Sequence, residues 1–129
     1  MSTRILVAED DSAQAKLMRF NLAAAGYDVM IASDGRQAWM ASQRDYFDIV
    51  ITDYKMPYLT GIDLCHLLRQ DRRYARKPVI LVSSFCQELD LDLMRSRFYL
   101  SAIFEKPIAA AELARTVEEC LGANTAAAG

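Results

Sequence analysis

Five short apolar runs, each opening onto polar or charged residues at its far end, constrain this chain more than any other feature. Ile5-Leu6-Val7-Ala8 leads straight into Glu9-Asp10-Asp11, and Tyr27-Asp28-Val29-Met30-Ile31-Ala32 is the second run. Asp48-Ile49-Val50-Ile51-Thr52 ends at Asp53, and Val79-Ile80-Leu81-Val82 ends at Ser83-Ser84. The last and weakest run, Ala102-Ile103-Phe104-Glu105, ends at Lys106-Pro107. Continuous β-branched and aliphatic runs of this length suit strands buried on both faces, as in a parallel sheet. Parallel neighbours cannot be joined by a tight turn and need a crossover, usually a helix.

The intervening stretches supply those crossovers. Residues 12–25 carry Leu17, Phe20 and Ala24, flanked by Met18, Leu22 and Ala25, as a broad apolar stripe, and Gly26 reads as the stop. A second helix is expected over Gly35 to Tyr46, with Trp39 covering the sheet edge. A third starts near Thr60, where Thr60 and Asp63 resemble a capping box, and continues through Leu64, Leu67 and Leu68. The last spans Ala109 to Leu121. Between the fourth and fifth runs, Leu89-Asp90-Leu91-Asp92-Leu93 alternates with period two, which reads as strand. The need for a crossover and the Leu/Glu/Met/Arg content favour helix there, as the least firmly packed element. The fold class is α/β, a doubly wound five-stranded parallel sheet with helices on both faces. Residues 1–122 form one domain on this reading, and residues 123–129, small and without periodicity, a disordered tail or linker.

The formal net charge of −2 argues against a chain built mainly to bind nucleic acid, which demands clustered positive charge. Cys65, Cys86 and Cys120 are odd in number and show no zinc-ligand spacing, which fits small hydrophobes in a reducing compartment. His66 is the sole histidine, so a histidine metal site lacks partners. The residues after Met1 are polar and no run approaches a membrane span, so the expectation is a soluble, cytoplasmic protein.

In a doubly wound sheet, ligands bind beyond the carboxyl ends of the strands. Those ends are Glu9-Asp10, Asp53, Ser83-Ser84 and Lys106. Clustered carboxylates repel and are unfavourable by themselves. A hard cation such as Mg²⁺, which prefers one or two carboxylates plus waters and phosphate oxygens, removes the conflict. Lys106 adds a compact positive charge, and Ser83 a hydroxyl donor. A carboxylate nucleophile, a metal, a lysine and a hydroxyl are the parts needed for phosphoryl transfer to aspartate.

At these residues the sequence resembles the receiver domain of bacterial two-component response regulators, over roughly Arg4 to Leu121. ILVAEDD matches the first strand and acidic pair, DIVITDYKMP with Gly61 the phosphorylation motif, PVILVSS the fourth strand and EKP the lysine-proline motif. The resemblance implies a flavodoxin-like strand order 2-1-3-4-5, Mg²⁺ as cofactor, and a phosphorelay signalling role. It makes Asp53 the phosphoacceptor and Asp10 a direct metal ligand, with Glu9 acting through water. It gives Lys55 the metal-binding backbone carbonyl, Ser83 and Lys106 the phosphate-stabilising roles, and Lys106–Pro107 a cis bond. It ties phosphoryl lifetime to positions such as Lys55 and Phe85. The phosphodonor is a histidine kinase or phosphotransfer protein, and the output is a separate protein or domain. Two departures bear on the readout. The usual aromatic three residues before the lysine is Ile103, the switch position here, and Tyr99-Leu100-Ser101 replaces the usual Gly-Ala. With that aromatic missing, the expected switch either works by repacking of the fourth helix with no aromatic rotamer change or is weak.

Plainer readings stand beside these. Asp11 suits a helix N-terminus, Asp53 alone could be a turn residue, and Gly61 reads as backbone permissiveness. The basic stretch Arg69 to Lys77 reads as a solvated loop, with a docking patch for an acidic partner as the sharper alternative. Two other function classes use the same parts. One is a small phosphatase working through an aspartyl phosphate, against which stand the lack of a cap domain and of an obvious second acid beside Asp53, so the expectation is a switch that catalyses only its own phosphorylation and dephosphorylation. The other is a phosphorylation-independent interaction module.

Overall fold

The structure is a computed structural model that describes residues 3–84 and 86–128, with side chains described for all of these except residues 88 and 123–128. Phe85 lies outside the described residues. The strands are β1 (Arg4–Ala8), β2 (Asp28–Ala32), β3 (Ile49–Asp53), β4 (Val79–Ser83) and β5 (Ala102–Glu105). They pair in parallel in the order β2-β1-β3-β4-β5. The helices are α1 (Ser12–Ala24), α2 (Gly35–Arg44), α3 (Gly61–Gln70), α4 (Leu91–Phe98) and α5 (Ala110–Ala128), with a short 3₁₀ turn at Cys86–Glu88.

Strand alternation divides the core. Ile5, Val7, Ile49, Ile51, Ile80 and Val82 face Met18 and Leu22 of α1 and Leu113 and Val117 of α5. Leu6, Ala8, Val50, Val79 and Leu81 face the other way, against Ala38 and Ala41 of α2, Leu64 and Leu68 of α3, and Phe98 of α4. Both faces of the central strands are therefore covered, which is why their sequences run apolar without alternation.

Several helix details differ from expectation. On α1 the buried residues are Ala15, Met18 and Leu22, while Leu17 and Phe20 are 62% and 72% exposed. Leu17-Phe20-Ala24 and Ala15-Met18-Leu22 have the same i, i+3, i+7 spacing, so periodicity admits both phases. Contact with the sheet selects the second, where Ala15 allows close approach. Asp11 caps this helix, accepting from the Gln14 N–H at 3.0 Å. In the alternating stretch, Asp90 caps α4 by accepting from the Leu93 N–H at 3.0 Å, so the strand-like pattern is a cap followed by a first turn. Phe98 is the one residue buried on α4, as suits the least firmly packed helix. Helix α5 runs Ala110–Ala128, past Leu121 and through a run of alanines, the strongest helix formers.

The stretch 69–77 is not simply a solvated loop. Arg69 donates to the carbonyl oxygens of Tyr74 (2.7 Å), Lys77 (2.8 Å), Phe98 (2.7 Å) and Tyr99 (2.9 Å). Tyr74 is fully buried. Its hydroxyl lies 2.9 Å from the Ser42 carbonyl oxygen and 3.1 Å from that of Asp45, and accepts from the Phe47 N–H at 3.3 Å. Tyr74→Phe strands the Phe47 N–H and takes the hydroxyl from both carbonyls, of which Ser42's still accepts from Arg73 at 3.1 Å, and should lower stability by about 1–3 kcal/mol. A lower urea midpoint at unchanged m-value is the readout.

Asp71, at the end of α3, accepts from Arg73 and from Gln43 at 2.9 Å. These bonds, Arg73's first, hold its carboxyl down at about 2. Its contribution is complete above the ordinary carboxylate range and disappears as pH falls through about 2. Asp71→Asn should therefore lower stability at neutral pH, with the difference closing in acid, as followed by thermal melts from pH 7 to pH 2.

Candidate functional site

Parallel pairing brings the strand ends to one edge. Asp53 is the last residue of β3, in register with Val82, and Ser83 is the last of β4, in register with Glu105. Glu9 directly follows β1 and its N–H continues the ladder to the Ala32 carbonyl at 3.0 Å. Lys106 directly follows β5, and its N–H donates to the Ser83 carbonyl at 3.0 Å. The Lys106–Pro107 bond is cis.

Lys106 reaches across this edge. Its Nζ lies 2.5 Å from Glu9 Oε1 and 3.2 Å from Asp53 Oδ2. Glu9 is 2% exposed, and its other oxygen accepts from the Asp11 N–H at 3.2 Å. Asp53 Oδ1 accepts from the Tyr54 N–H at 2.8 Å. Asp10 is exposed, and one carboxylate oxygen from each of Glu9, Asp10 and Asp53 lies within 4.8 Å of the others. Burial pushes the Glu9 carboxyl above the usual range and Asp53's charge adds to this, against the pull of the Lys106 hydrogen bond. Burial works against the Lys106 ammonium, yet the hydrogen bond to Glu9 and the charges of Asp53 and Glu9 raise its pKa. Three carboxylates facing one ammonium leave a surplus of two negative charges. Like charges near 4 Å repel by roughly 4 kcal/mol at a protein surface.

The structure thus brings Glu9, Asp10, Asp53 and Lys106 together, with the fully buried Ser83 beside them in the sheet. Lys55 is exposed in the β3–α3 connection. Ile103 sits elsewhere, half-buried on the α2–α3 face of β5, packed against the same core as Met94 of α4. Phe104, its neighbour, lies on the opposite face against the α1–α5 core, so strand alternation bars it from replacing the missing aromatic.

Two features escaped the sequence reading. Thr52 Oγ1 donates to the Asp53 carbonyl at 2.9 Å from a fully buried position, which no spacing announces. Gly61 is needed for space rather than for conformational freedom. A Cβ there would collide with the Asp53 carbonyl oxygen, and the Gly61 N–H donates to the Tyr54 carbonyl at 2.6 Å.

An acidic cluster, a lysine and a buried serine at the carboxyl edge of a 2-1-3-4-5 sheet define a class that comparison with known proteins identifies. The chain belongs to the response regulator receiver domain family, whose sequence profile matches residues 5–118. It is 33% identical over 90 residues to the alkaline phosphatase synthesis transcriptional regulatory protein PhoP of Bacillus subtilis, covering 70% of this chain and 37% of that protein. It is 35% identical over 88 residues to the phosphate regulon transcriptional regulatory protein PhoB of Rhizobium meliloti, covering 68% and 39%. The chain thus spans less than half the length of these relatives. Among solved structures, the receiver domain of Francisella response regulator 1452 superposes with a TM-score of 0.84 at 26% identity, covering 95% of this chain and 99% of that one. Chemotaxis response regulator CheY4 of Vibrio cholerae shares the fold with a TM-score of 0.86 at 24% identity, covering 94% and 100%. Among the described residues, no helix is long and apolar enough to cross a membrane.

Proposed function

We propose that Asp53 accepts a phosphoryl group and that this domain is a phosphorylation switch in a two-component relay. The observation that carries this reading is the Lys106 ammonium held between the buried Glu9 and Asp53, with the exposed Asp10 completing the carboxylate cluster. In the transfer, an Asp53 carboxylate oxygen bonds to phosphorus while the bond from phosphorus to the donor's imidazole nitrogen breaks. The Tyr54 N–H fixes the orientation of the carboxylate. Lys106 can turn from Asp53 toward a phosphoryl oxygen without leaving Glu9, and Ser83 can offer its hydroxyl to the same group.

The donor set fits Mg²⁺. It is all oxygen, carries the charge surplus a divalent ion neutralises, and is open at Asp10 for waters and phosphoryl oxygens. Asp10 and Asp53 would hold the ion directly, with the Lys55 carbonyl, and Glu9 through water. When bound, it neutralises charge on the transferring phosphoryl oxygens. The donor is a histidine kinase or phosphotransfer protein, in the cytoplasm. The output lies in a partner or a domain beyond this chain, as the regulatory names of the longer relatives suggest.

Incubation with Mg²⁺ and acetyl phosphate should add one phosphoryl group to the intact mass, and Asp53→Asn should abolish the gain, a drop of at least about 100-fold in labelling. Labelling that survives in Asp53→Asn would assign the acceptor elsewhere. No labelling at all in the folded protein would favour the phosphorylation-independent module.

A further inference from the structure

We propose that Thr52 is a positioning residue for the phosphoacceptor: its hydroxyl fixes and polarises the peptide unit between Asp53 and Tyr54, and that unit sets the Asp53 carboxylate for attack through Oδ2. This rests on the phosphoryl reading above. Thr52 is fully buried in β3, in register with Ala8 of β1 and Leu81 of β4. Leu6, Ala8, Val50 and Leu81, on the same side of the sheet, are all apolar. A hydroxyl in such a layer costs free energy unless it is hydrogen-bonded, and valine has nearly the same shape without that cost. The chain places a hydroxyl here all the same, one residue before the acceptor.

The hydroxyl donates to the Asp53 carbonyl oxygen at 2.9 Å. That oxygen belongs to the peptide unit whose N–H, on Tyr54, donates to Asp53 Oδ1 at 2.8 Å. One rigid, planar unit therefore carries both bonds: Thr52 grips its oxygen, and its N–H holds the carboxylate. Donation to an amide oxygen draws charge toward it and makes the N–H of the same amide a stronger donor. Gly61 keeps the unit in place from the other side. It lies so close to the Asp53 carbonyl that no Cβ would fit between them, and its N–H donates to the Tyr54 carbonyl at 2.6 Å.

The consequence falls on the carboxylate. With Oδ1 engaged by the Tyr54 N–H, rotation about the Cβ–Cγ bond of Asp53 is arrested. Oδ2 is then the oxygen turned toward Lys106, 3.2 Å from Nζ, where a positive charge waits for the phosphoryl group. In the transfer Oδ2 bonds to phosphorus as the bond from phosphorus to the donor breaks, acetate leaving when acetyl phosphate is the donor. Without the Thr52 hydroxyl the peptide unit can tilt and the Tyr54 N–H is a weaker donor. The carboxylate then samples orientations in which neither oxygen is aligned for attack. Misalignment of this kind slows the transfer step and leaves binding of the donor as it was.

Two substitutions in the whole chain separate positioning from packing. Thr52→Val keeps the shape and loses the hydroxyl, whereas Thr52→Ser keeps the hydroxyl and loses a buried methyl. With Mg²⁺ and acetyl phosphate, Thr52→Val should label about tenfold more slowly than the parent, at an unchanged half-saturating acetyl phosphate concentration and a urea midpoint close to the parent's. Thr52→Ser should have the lower midpoint, from its methyl-sized gap, yet restore labelling to within about twofold of the parent. In amide NMR spectra recorded without phosphodonor, the Tyr54 proton should move upfield in Thr52→Val and hold its place in Thr52→Ser. Labelling that follows the midpoint, slow in Thr52→Ser and parental in Thr52→Val, would overturn the proposal and leave Thr52 a packing residue. Equal slowing in both variants would overturn it too, as would an unmoved Tyr54 proton in Thr52→Val. Absence of a mass gain in the parent would instead overturn the phosphoryl reading, and the Tyr54 proton would still decide whether Thr52 governs the peptide unit.

Discussion

Lys106→Met should cost about 3 kcal/mol of stability in the absence of divalent cations and regain much of it in Mg²⁺. The parent site balances its charges poorly even with the lysine, since three carboxylates face one ammonium. Methionine fills most of the lysine's volume, so the loss is electrostatic rather than a cavity. It leaves Glu9, with its side chain 1% exposed, beside Asp53 without its counter-ion. Removing one partner of a buried pair costs about 3–5 kcal/mol, and the solvent access at Asp10 places this site at the low end. A proton or a metal can substitute for the missing charge. Glu9 already has a raised pKa, and a group raised by the folded state contributes stability at low pH that is lost as pH rises through its folded value. The variant should therefore gain on its parent as pH falls toward 5. Mg²⁺ at a hundredfold excess over its dissociation constant should restore about 2.7 kcal/mol by mass action. Urea midpoints in chelator, in Mg²⁺ and across pH decide the matter. Equal midpoints for variant and parent in chelator would show that the Lys106 contacts are not important to stability.

The same charges explain why so much of the site was legible. Each candidate site side chain is the residue that ends or follows an apolar run: Glu9 after β1, Asp53 and Ser83 at the ends of β3 and β4, Lys106 after β5. A parallel sheet sets all such ends on one edge, so the linear pattern alone juxtaposes groups up to 97 residues apart, the separation of Glu9 and Lys106. What periodicity left open was the phase of α1, because two stripes of the same spacing compete and only contact with the sheet separates them. Arg69 and Tyr74 were illegible for another reason. Both act through backbone carbonyls of distant segments, and a carbonyl carries no residue identity for a pattern to find. The alternation in residues 89–93 misled locally because aspartate serves equally as a strand's polar position and a helix cap.

Gly61→Ala carries the second large effect, and it connects the packing of α3 to the chemistry of Asp53. The added methyl would meet the Asp53 carbonyl oxygen, with the carbonyl carbon 3.0 Å away and Leu81 Cδ1 at 3.1 Å. Backbone at the end of a central strand cannot yield as a flexible side chain would. The Asp53 carbonyl is held by the Thr52 hydroxyl, and the Gly61 N–H holds the Tyr54 carbonyl one residue on. Relief therefore requires α3 to retreat or the end of β3 to bend. The cost should be about 2–3 kcal/mol, the range for overpacking a rigid site. Displacement of the Asp53 backbone should also slow acetyl phosphate labelling by about tenfold or more, since small misplacements of a reacting group are expensive. Gly26→Ala is the matching control. Gly26 has φ +99° and open space around it, so alanine there adds backbone strain of about 1 kcal/mol and should leave labelling intact. If both variants label at the parental rate while Gly61→Ala is destabilised, the close approach of α3 supports the fold but does not position the acceptor. If Gly61→Ala alone labels slowly after correction for its folded fraction, the seat of α3 against Asp53 is part of the catalytic geometry.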